Sequence, residues 1–202
     1  MIYLYGKGKR FEIVKDLLKQ NRVKQKIIAI DKNAKSKKNV VNEKYFFNNY
    51  KYKNDYLVIT VSDPEKRFSI YNRIKNKIKI RLHPPLVSKS AVLKKNVKIK
   101  NGSVIMDNAY IGNNVNINFN STVGISSIIS HDSFLDDYSE ISHKVKIAGN
   151  VKIGKCCYLG IGSIVIQKIK IKDNSFIGAG VLVKKNITKK SRITLKQKII
   201  SK

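Results

Sequence analysis

The chain of 202 residues is short of several things that would have defined it quickly. It has two cysteines, Cys156 and Cys157, which are adjacent. That excludes C-x-x-C metal-ligand spacing and reads as reduced core and turn residues. No apolar run approaches the ~20 residues of a membrane span, and Met1 to Gly6 lacks the basic-then-apolar order of a signal segment. A soluble, cytoplasmic protein with no membrane partner is expected. Acidic residues are scarce, 13 against 42 basic, for a formal charge of +29. Arginine is scarce as well, with six residues at positions 10, 22, 67, 73, 81 and 192, while lysine is spread through every segment beside Asn and Ile. A nucleic-acid reader would cluster arginine with exposed aromatics on one surface. The charge therefore predicts no specific nucleic-acid partner, only loose attraction of polyanions and steering of phosphate-bearing ligands.

What is present is a period of six. From Val87 an aliphatic residue recurs without a miss through Leu93, Ile99, Ile105 and onward to Ile177 and Val183. Four residues after many of these stands a small residue, such as Ala109, Ser121, Ser133, Ser139 or Ser175. Two inward positions per hexad imply short strands joined by tight turns around a narrow apolar core, and an amphipathic helix would need a 3.6-residue spacing instead. The expected fold is mainly β, a parallel β-helix over residues 86–187, followed by a basic C-terminal tail at 188–202.

Residues 1–85 alternate strands and helices and are expected to form a small α/β, Rossmann-like domain with a parallel sheet. Strands are expected at Ile2 to Tyr5, Lys26 to Ile30, Tyr56 to Val61 and Ile78 to Leu82, with Lys32 to Lys53 as a polar stretch. His83-Pro84-Pro85 then leads into the coil. The Gly6-Lys7-Gly8 turn between first strand and helix suits a phosphate, and Asp31 ends the next strand where it could bind a ribose or sugar hydroxyl. The turn lacks the third glycine of the dinucleotide fingerprint, so a plain tight turn is an equal reading.

Three histidines remain. His83 sits at the junction and reads as a packing residue, and His143 as a surface turn residue. His131 has Asp132 beside it, an arrangement in which a carboxylate fixes the tautomer of a base. Three hexads make one triangular coil of eighteen residues, so Gly149 stacks on His131 at ~4.8 Å. Its bare backbone could offer an N–H to a carbonyl that gains charge during acyl transfer. No metal is expected, because a metal site on this architecture wants three converging histidines.

Assembled, the sequence resembles the left-handed β-helix sugar acetyltransferases of the sialic acid O-acetyltransferase and nucleotide-amino-sugar N-acetyltransferase type. The resemblance rests on Tyr5-Gly6, Val58 to Asp63 with Arg67, Leu82-His83-Pro84, Ile129 to Ser133, Ile147 to Gly154 and Ile177 to Val183. It implies a homotrimer using acetyl-CoA as co-substrate, with His131 as base, Asp132 as its partner and Gly149 as donor to the acyl carbonyl. It also implies that Ile161, Gly162, Ala179 and Gly180 line the remainder of the acetyl-CoA site. The acceptor, a nucleotide-linked amino sugar used in surface-glycan assembly, would meet Gly6, Lys7, Gly8, Asp31 and Glu140. Two departures stand out: Arg10 and Glu140 occupy positions where many relatives carry histidine. The alternatives are O-acetylation of a sugar hydroxyl such as that of a sialic acid, a non-catalytic β-helix scaffold, and a metal-dependent hydratase.

Overall fold

Ile2–Tyr5 is buried at every position, as suits a parallel strand covered on both faces rather than one that alternates inside and out. In the computed structural model, which describes residues 1–32 and 39–195, this segment is β1 of a four-stranded parallel sheet. Its partners are β2 (Ile27–Ile30), β3 (Val40–Val41) and β4 (Tyr56–Ile59), in the order β3-β2-β1-β4. Helix α1 (Lys9–Gln20) covers one face and packs Val14, Leu17 and Leu18 between the sheet and the coil residues Leu86, Val104 and Met106. Helices α2 (Glu43–Asn49) and α3 (Pro64–Lys75) cover the other face through Phe46 and Ile74. Asp63 caps α3 by accepting from the Lys66 N–H, with Pro64 at the first helical position.

Two features of this unit differ from the sequence expectation. The polar stretch holds β3 and α2, short elements that bury only Val41 and Phe46 and so leave little periodic signal. The strand expected over Ile78 to Leu82 is a single bridge, Leu57 to Leu82. Pro84 and Pro85 follow at once, and residues without an N–H cannot extend a ladder.

From Leu86 to Val183 the two-residue strands pair in parallel with the strand eighteen residues on, as Ile117 does with Leu135 and Ile129 with Ile147, while Phe176–Ile177 pairs with Arg192–Ile193 sixteen residues on. Three flat faces result. The first has seven strands from Leu86–Val87 to Arg192–Ile193, the second six from Val92–Leu93 to Leu182–Val183, and the third five from Lys98–Ile99 to Lys170–Ile171. Ile105, Ile111, Ile117, Val123, Ile129 and Leu135 point inward and are fully buried. The small residues four places later close the corners. Ser121, Ser127, Ser133 and Ser139 are buried, and each donates its hydroxyl to a carbonyl fifteen residues on at 2.7–3.1 Å. Cys157 takes the same place in its coil and donates to the Lys172 carbonyl. Burial pushes its thiol up to about 12 and that of Cys156 to about 11, so both stay protonated at neutral pH.

The turns need a left-handed residue every sixth position. Asn96, Asn108, Asn114, Asn120, Asp132, Asn150 and Asn174 are among those that supply it, with φ between 54° and 60°. Asn and Asp tolerate this region better than other residues with a Cβ. The expected tail at 188–202 also contributes, because Arg192–Ile193 adds a strand against Phe176–Ile177; residues 196–202 lie outside the described part.

The outer surfaces of the three faces are unequal. On the first, Leu86, Val104, Thr122 and Glu140 lie buried beneath the α/β unit. On the second, Val92, Tyr110, Ile128, Ile164 and Leu182, each 37–46 % accessible, share one column with the exposed Lys146, which stands between Ile128 and Ile164. The third presents Lys98, Asn116, Phe134, Lys152 and Lys170. Because each inward side chain is packed by coils above and below, truncation should leave a hole that cannot collapse. Ile141→Ala is expected to lower the unfolding free energy by about 2–5 kcal/mol, read from chemical denaturation; a loss well under 1 kcal/mol would mean that the column is not close-packed.

Candidate active site

His131 and Asp132 occupy the corner between the second and third faces, in a turn whose left-handed residue is Asp132 itself, φ 57°. Imidazole Nδ1 lies 2.8 Å from Asp132 Oδ2. The other carboxylate oxygen accepts from Asn114 Nδ2, one coil earlier, at 2.9 Å. The hydrogen bond to His131, then that to Asn114, holds the Asp132 carboxyl below the usual carboxylate range. An ionised Asp132 accepts from Nδ1–H and leaves Nε2 with its lone pair, which is the tautomer a general base requires.

Gly149 stacks on this ring. A Cβ there would stand 2.6 Å from both Cε1 and Nε2 of His131, so only glycine lets the imidazole lie where it does. The Gly149 carbonyl accepts from the Lys168 N–H, whereas its own N–H meets no acceptor among the described residues. Gly112, one coil earlier, is equally constrained, since a Cβ would come within 2.8 Å of the His131 backbone nitrogen. A groove of about 480 Å³ runs beside this corner along the second face, lined by Ile128, Ser130, Ala148, Ile164, Ile166 and Gln167 among others.

Not every expected residue joins this corner. Ile161, Gly162, Ala179 and Gly180 lie at the corner between the first and second faces, on the far side of the groove-bearing face, where Gly180 N–H donates to the Ile161 carbonyl. Gly162 and Gly180 supply left-handed turn residues there, with φ 65° and 68°. His143 shares that corner, half-buried, and its Nδ1 accepts from the Ile125 N–H at 3.0 Å. His83 is buried at the junction with Nδ1 2.8 Å from the Pro84 carbonyl, and burial pushes its pKa down. Among the described residues no group of three or more His, Cys, Asp or Glu is placed to hold a metal, and no helix is long and apolar enough to cross a membrane.

The expected acceptor residues stand elsewhere again. Gly6, with φ 103°, turns the chain out of β1, Lys7 and Gly8 are exposed, and Asp31 follows β2 at the same edge of the sheet. Arg10, two residues past Gly8, reaches the first face of the coil, where it bonds Thr122 and Glu140. Glu140, an expected acceptor residue, is 3 % exposed, with its oxygens engaged by Arg10 and Arg67 in an internal ion cluster. Burial lowers the pKa of Arg67, while for Arg10 the same burial is outweighed by the Glu140 carboxylate. Sequence reading missed Asn114 and Gly112, and it named Arg67 as part of the resemblance without giving it a role. The first two were discoverable, because they sit one coil before the His131 turn.

The family described as bacterial transferase hexapeptide (six repeats) matches residues 90–124. Among solved structures, the chain is similar to the acetyltransferase domain of PglB from Neisseria gonorrhoeae FA1090, at a TM-score of 0.85 and 20 % identity over 95 % of this chain and 94 % of that one. The same domain in complex with acetyl coenzyme A gives 0.83 at 21 % identity, covering 92 % and 91 %. PerB from Caulobacter crescentus, in complex with CoA and GDP-perosamine, gives 0.81 at 19 % identity, covering 92 % and 89 %. At such identities the likeness concerns the fold: a hexapeptide β-helix preceded by an α/β unit.

The dyad makes one test available at this level. Asp132 is depressed by two donors, so the interaction it makes is present above its unfolded pKa and lost as pH falls through the folded one. Asn114→Ala removes one donor and should raise the Asp132 midpoint toward, but not up to, the ordinary value, as followed by carboxyl carbon NMR. An unmoved midpoint would mean that Asn114 does not hold the carboxylate.

Proposed function

We propose that this chain is an acetyltransferase that moves the acetyl group of acetyl-CoA to the amine of a nucleotide-linked amino sugar. The observation that carries the reading is the His131–Asp132 pair leaning on a bare Gly149 beside an open groove. Nε2 of His131 collects the proton the amine sheds as nitrogen bonds to the thioester carbonyl carbon, and Asp132 stabilises the imidazolium that forms. The unengaged Gly149 N–H donates to the carbonyl oxygen as negative charge grows there. The thiolate of CoA then departs, so one N–C bond forms and one C–S bond breaks. That fold neighbours are described with acetyl coenzyme A, and with CoA and GDP-perosamine, supports both donor and acceptor class. Glycine at 149, the groove along the second face and the turns at Ile161-Gly162 and Ala179-Gly180 are the parts of this chain that suit acetyl-CoA. Both substrates are cytoplasmic metabolites, so the reading puts the reaction in the cytoplasm, in the making of a surface glycan.

The working form in this proposal is a homotrimer. The α/β unit covers the first face, whereas His131 lies between the second and third, so one chain alone keeps acceptor residues and base on different sides of the prism. A largely apolar exposed column on the second face, broken by Lys146, favours a neighbour there, and a closed three-fold ring gives each base a neighbouring acceptor unit.

His131→Ala should lower turnover about 10²–10⁴-fold with the Michaelis constant for acetyl-CoA little changed, followed by thiol release on a panel of nucleotide-linked amino sugars. Wild-type turnover in that variant would reject the base; release only with hydroxyl acceptors would favour O-transfer. Mixed trimers test the shared site. Co-refolding inactive His131→Ala with acceptor-defective Asp31→Ala should restore about a quarter of the sites, since half the bases and half the acceptor units are intact and assort freely. No recovery would show that base and acceptor unit belong to the same chain.

A further inference from the structure

Glu140 is the meeting point of two arginines that come from different helices of the α/β unit, Arg10 of α1 and Arg67 of α3. Its Oε2 accepts from Arg10 Nη1 at 2.8 Å and from Arg67 Nη1 at 3.0 Å, and its Oε1 accepts from Arg10 Nη2. Arg10 lies in the first turn of α1, directly after the Gly6–Gly8 turn, and also bonds Thr122 Oγ1 at 3.2 Å. Arg67 is 1 % exposed and points the other way. It donates to the carbonyls of Val61 at 2.7 Å and Ser62 at 3.3 Å, in the turn that leaves β4, and to those of Asn120 and Tyr138 in the coil.

The two turns touch. Strands β1 and β4 are neighbours in register, and Thr60 Oγ1 donates to the Gly6 carbonyl at 2.6 Å. One coil beyond Glu140, in register with it, stands Tyr158. There a cleft of about 800 Å³ opens between Ser62, Asp63 and Pro64 on one side and Tyr158, Phe176 and Arg192 on the other. Through Arg10 the carboxylate reaches the helix that follows the glycine turn, and through Arg67 the turn that forms one wall of the cleft. A glutamine of the same shape would turn an NH₂ toward guanidinium donors, so the negative charge, and not merely the volume, holds both turns.

We infer that Glu140 is a positioning residue for the acceptor: through Arg10 and Arg67 it sets the separation between the Gly6–Gly8 turn and the Ser62–Asp63 turn, and with it the place of the Ser62–Asp63 wall of the cleft on the first face of the coil. The inference rests on the proposed function for the identity of the acceptor, though the clamp itself does not. It differs from a substrate contact, because the carboxylate is enclosed and acts through other side chains.

Glu140→Gln in the full-length protein tests it by two independent routes. In kinetics, the Michaelis constant for the nucleotide-linked amino sugar should rise about tenfold or more, while turnover at saturation and the constant for acetyl-CoA stay within about threefold. Glu140→Asp keeps the charge and should recover part of the loss. In hydrogen exchange, amides of 6–11 and of 61–67 should both exchange faster in Glu140→Gln, whereas Arg10→Gln should loosen 6–11 alone. Unchanged exchange at both turns would overturn the clamp, and equal changes in the two Michaelis constants would overturn its role for the acceptor. If the wild-type protein acetylates no such sugar, the functional reading fails while the exchange result still decides the clamp. Should Glu140→Gln not fold, Glu140→Asp and Arg10→Gln carry both measurements, and wild-type kinetics and exchange in both would reject the inference.

Discussion

Stacking at an interval of eighteen residues governs everything the coil does. Each short strand has too few hydrogen bonds to stand alone and is held by the coils before and after it, so every side chain has fixed neighbours eighteen residues away in either direction. The site is a product of that rule. His131 rests its ring where a Cβ at 149 would be, Asp132 is braced by Asn114, and the Asn150 N–H returns to the His131 carbonyl. The imidazole is thereby oriented by backbone and by short side chains from rigid neighbours, although it is itself exposed. Pre-set geometry of this kind leaves the ring ordered before any ligand arrives.

The same prism divides labour by face. An α/β unit seated on the first face consumes its outer surface, and what holds it there is mixed: aliphatic packing of α1 on Leu86, Val104 and Met106, and the enclosed Arg10–Glu140–Arg67 cluster. The apolar contact is indifferent to small slides. The charged cluster is not, because a buried carboxylate without its donors is costly and the donors are directional. Register between unit and coil is therefore a matter of the ion cluster, and area a matter of α1.

Legibility in the sequence followed the range of the interactions. The hexads, the left-handed asparagines and the His131–Gly149 stack all repeat at short fixed intervals, so spacing alone exposes them. Strand β1 was plain because it is buried on both faces. The α2 and β3 elements were not, since seven and two residues with one buried side chain each carry no period. Arg10 and Glu140 are 130 residues apart, and Arg67 is 73 from Glu140. Nothing local marks them as partners. Glu140 was singled out as an oddity of position, and its enclosure between two guanidiniums is legible only in the folded chain. Likewise Arg192 read as part of a basic tail because its strand partner, Phe176, is set by the coil and not by its own neighbours.

Charge is the last constraint the coil must absorb. On the third face Lys152 and Lys170 are direct neighbours on paired strands, and Lys98 belongs to the same column. Like charges so placed repel, though in water at such separations the cost is about 1 kcal/mol or less and falls with salt. Asn116 and Phe134 interrupt the column, and long lysine stems let the ammonium groups splay. The repulsion is therefore tolerable at each site, while the field of +29 formal charges acts over the whole molecule. Both substrates of the proposed reaction are phosphate esters, so a field of this sign raises their concentration near the protein without choosing between them. A choice between substrates therefore needs short-range elements, which a long-range field does not supply.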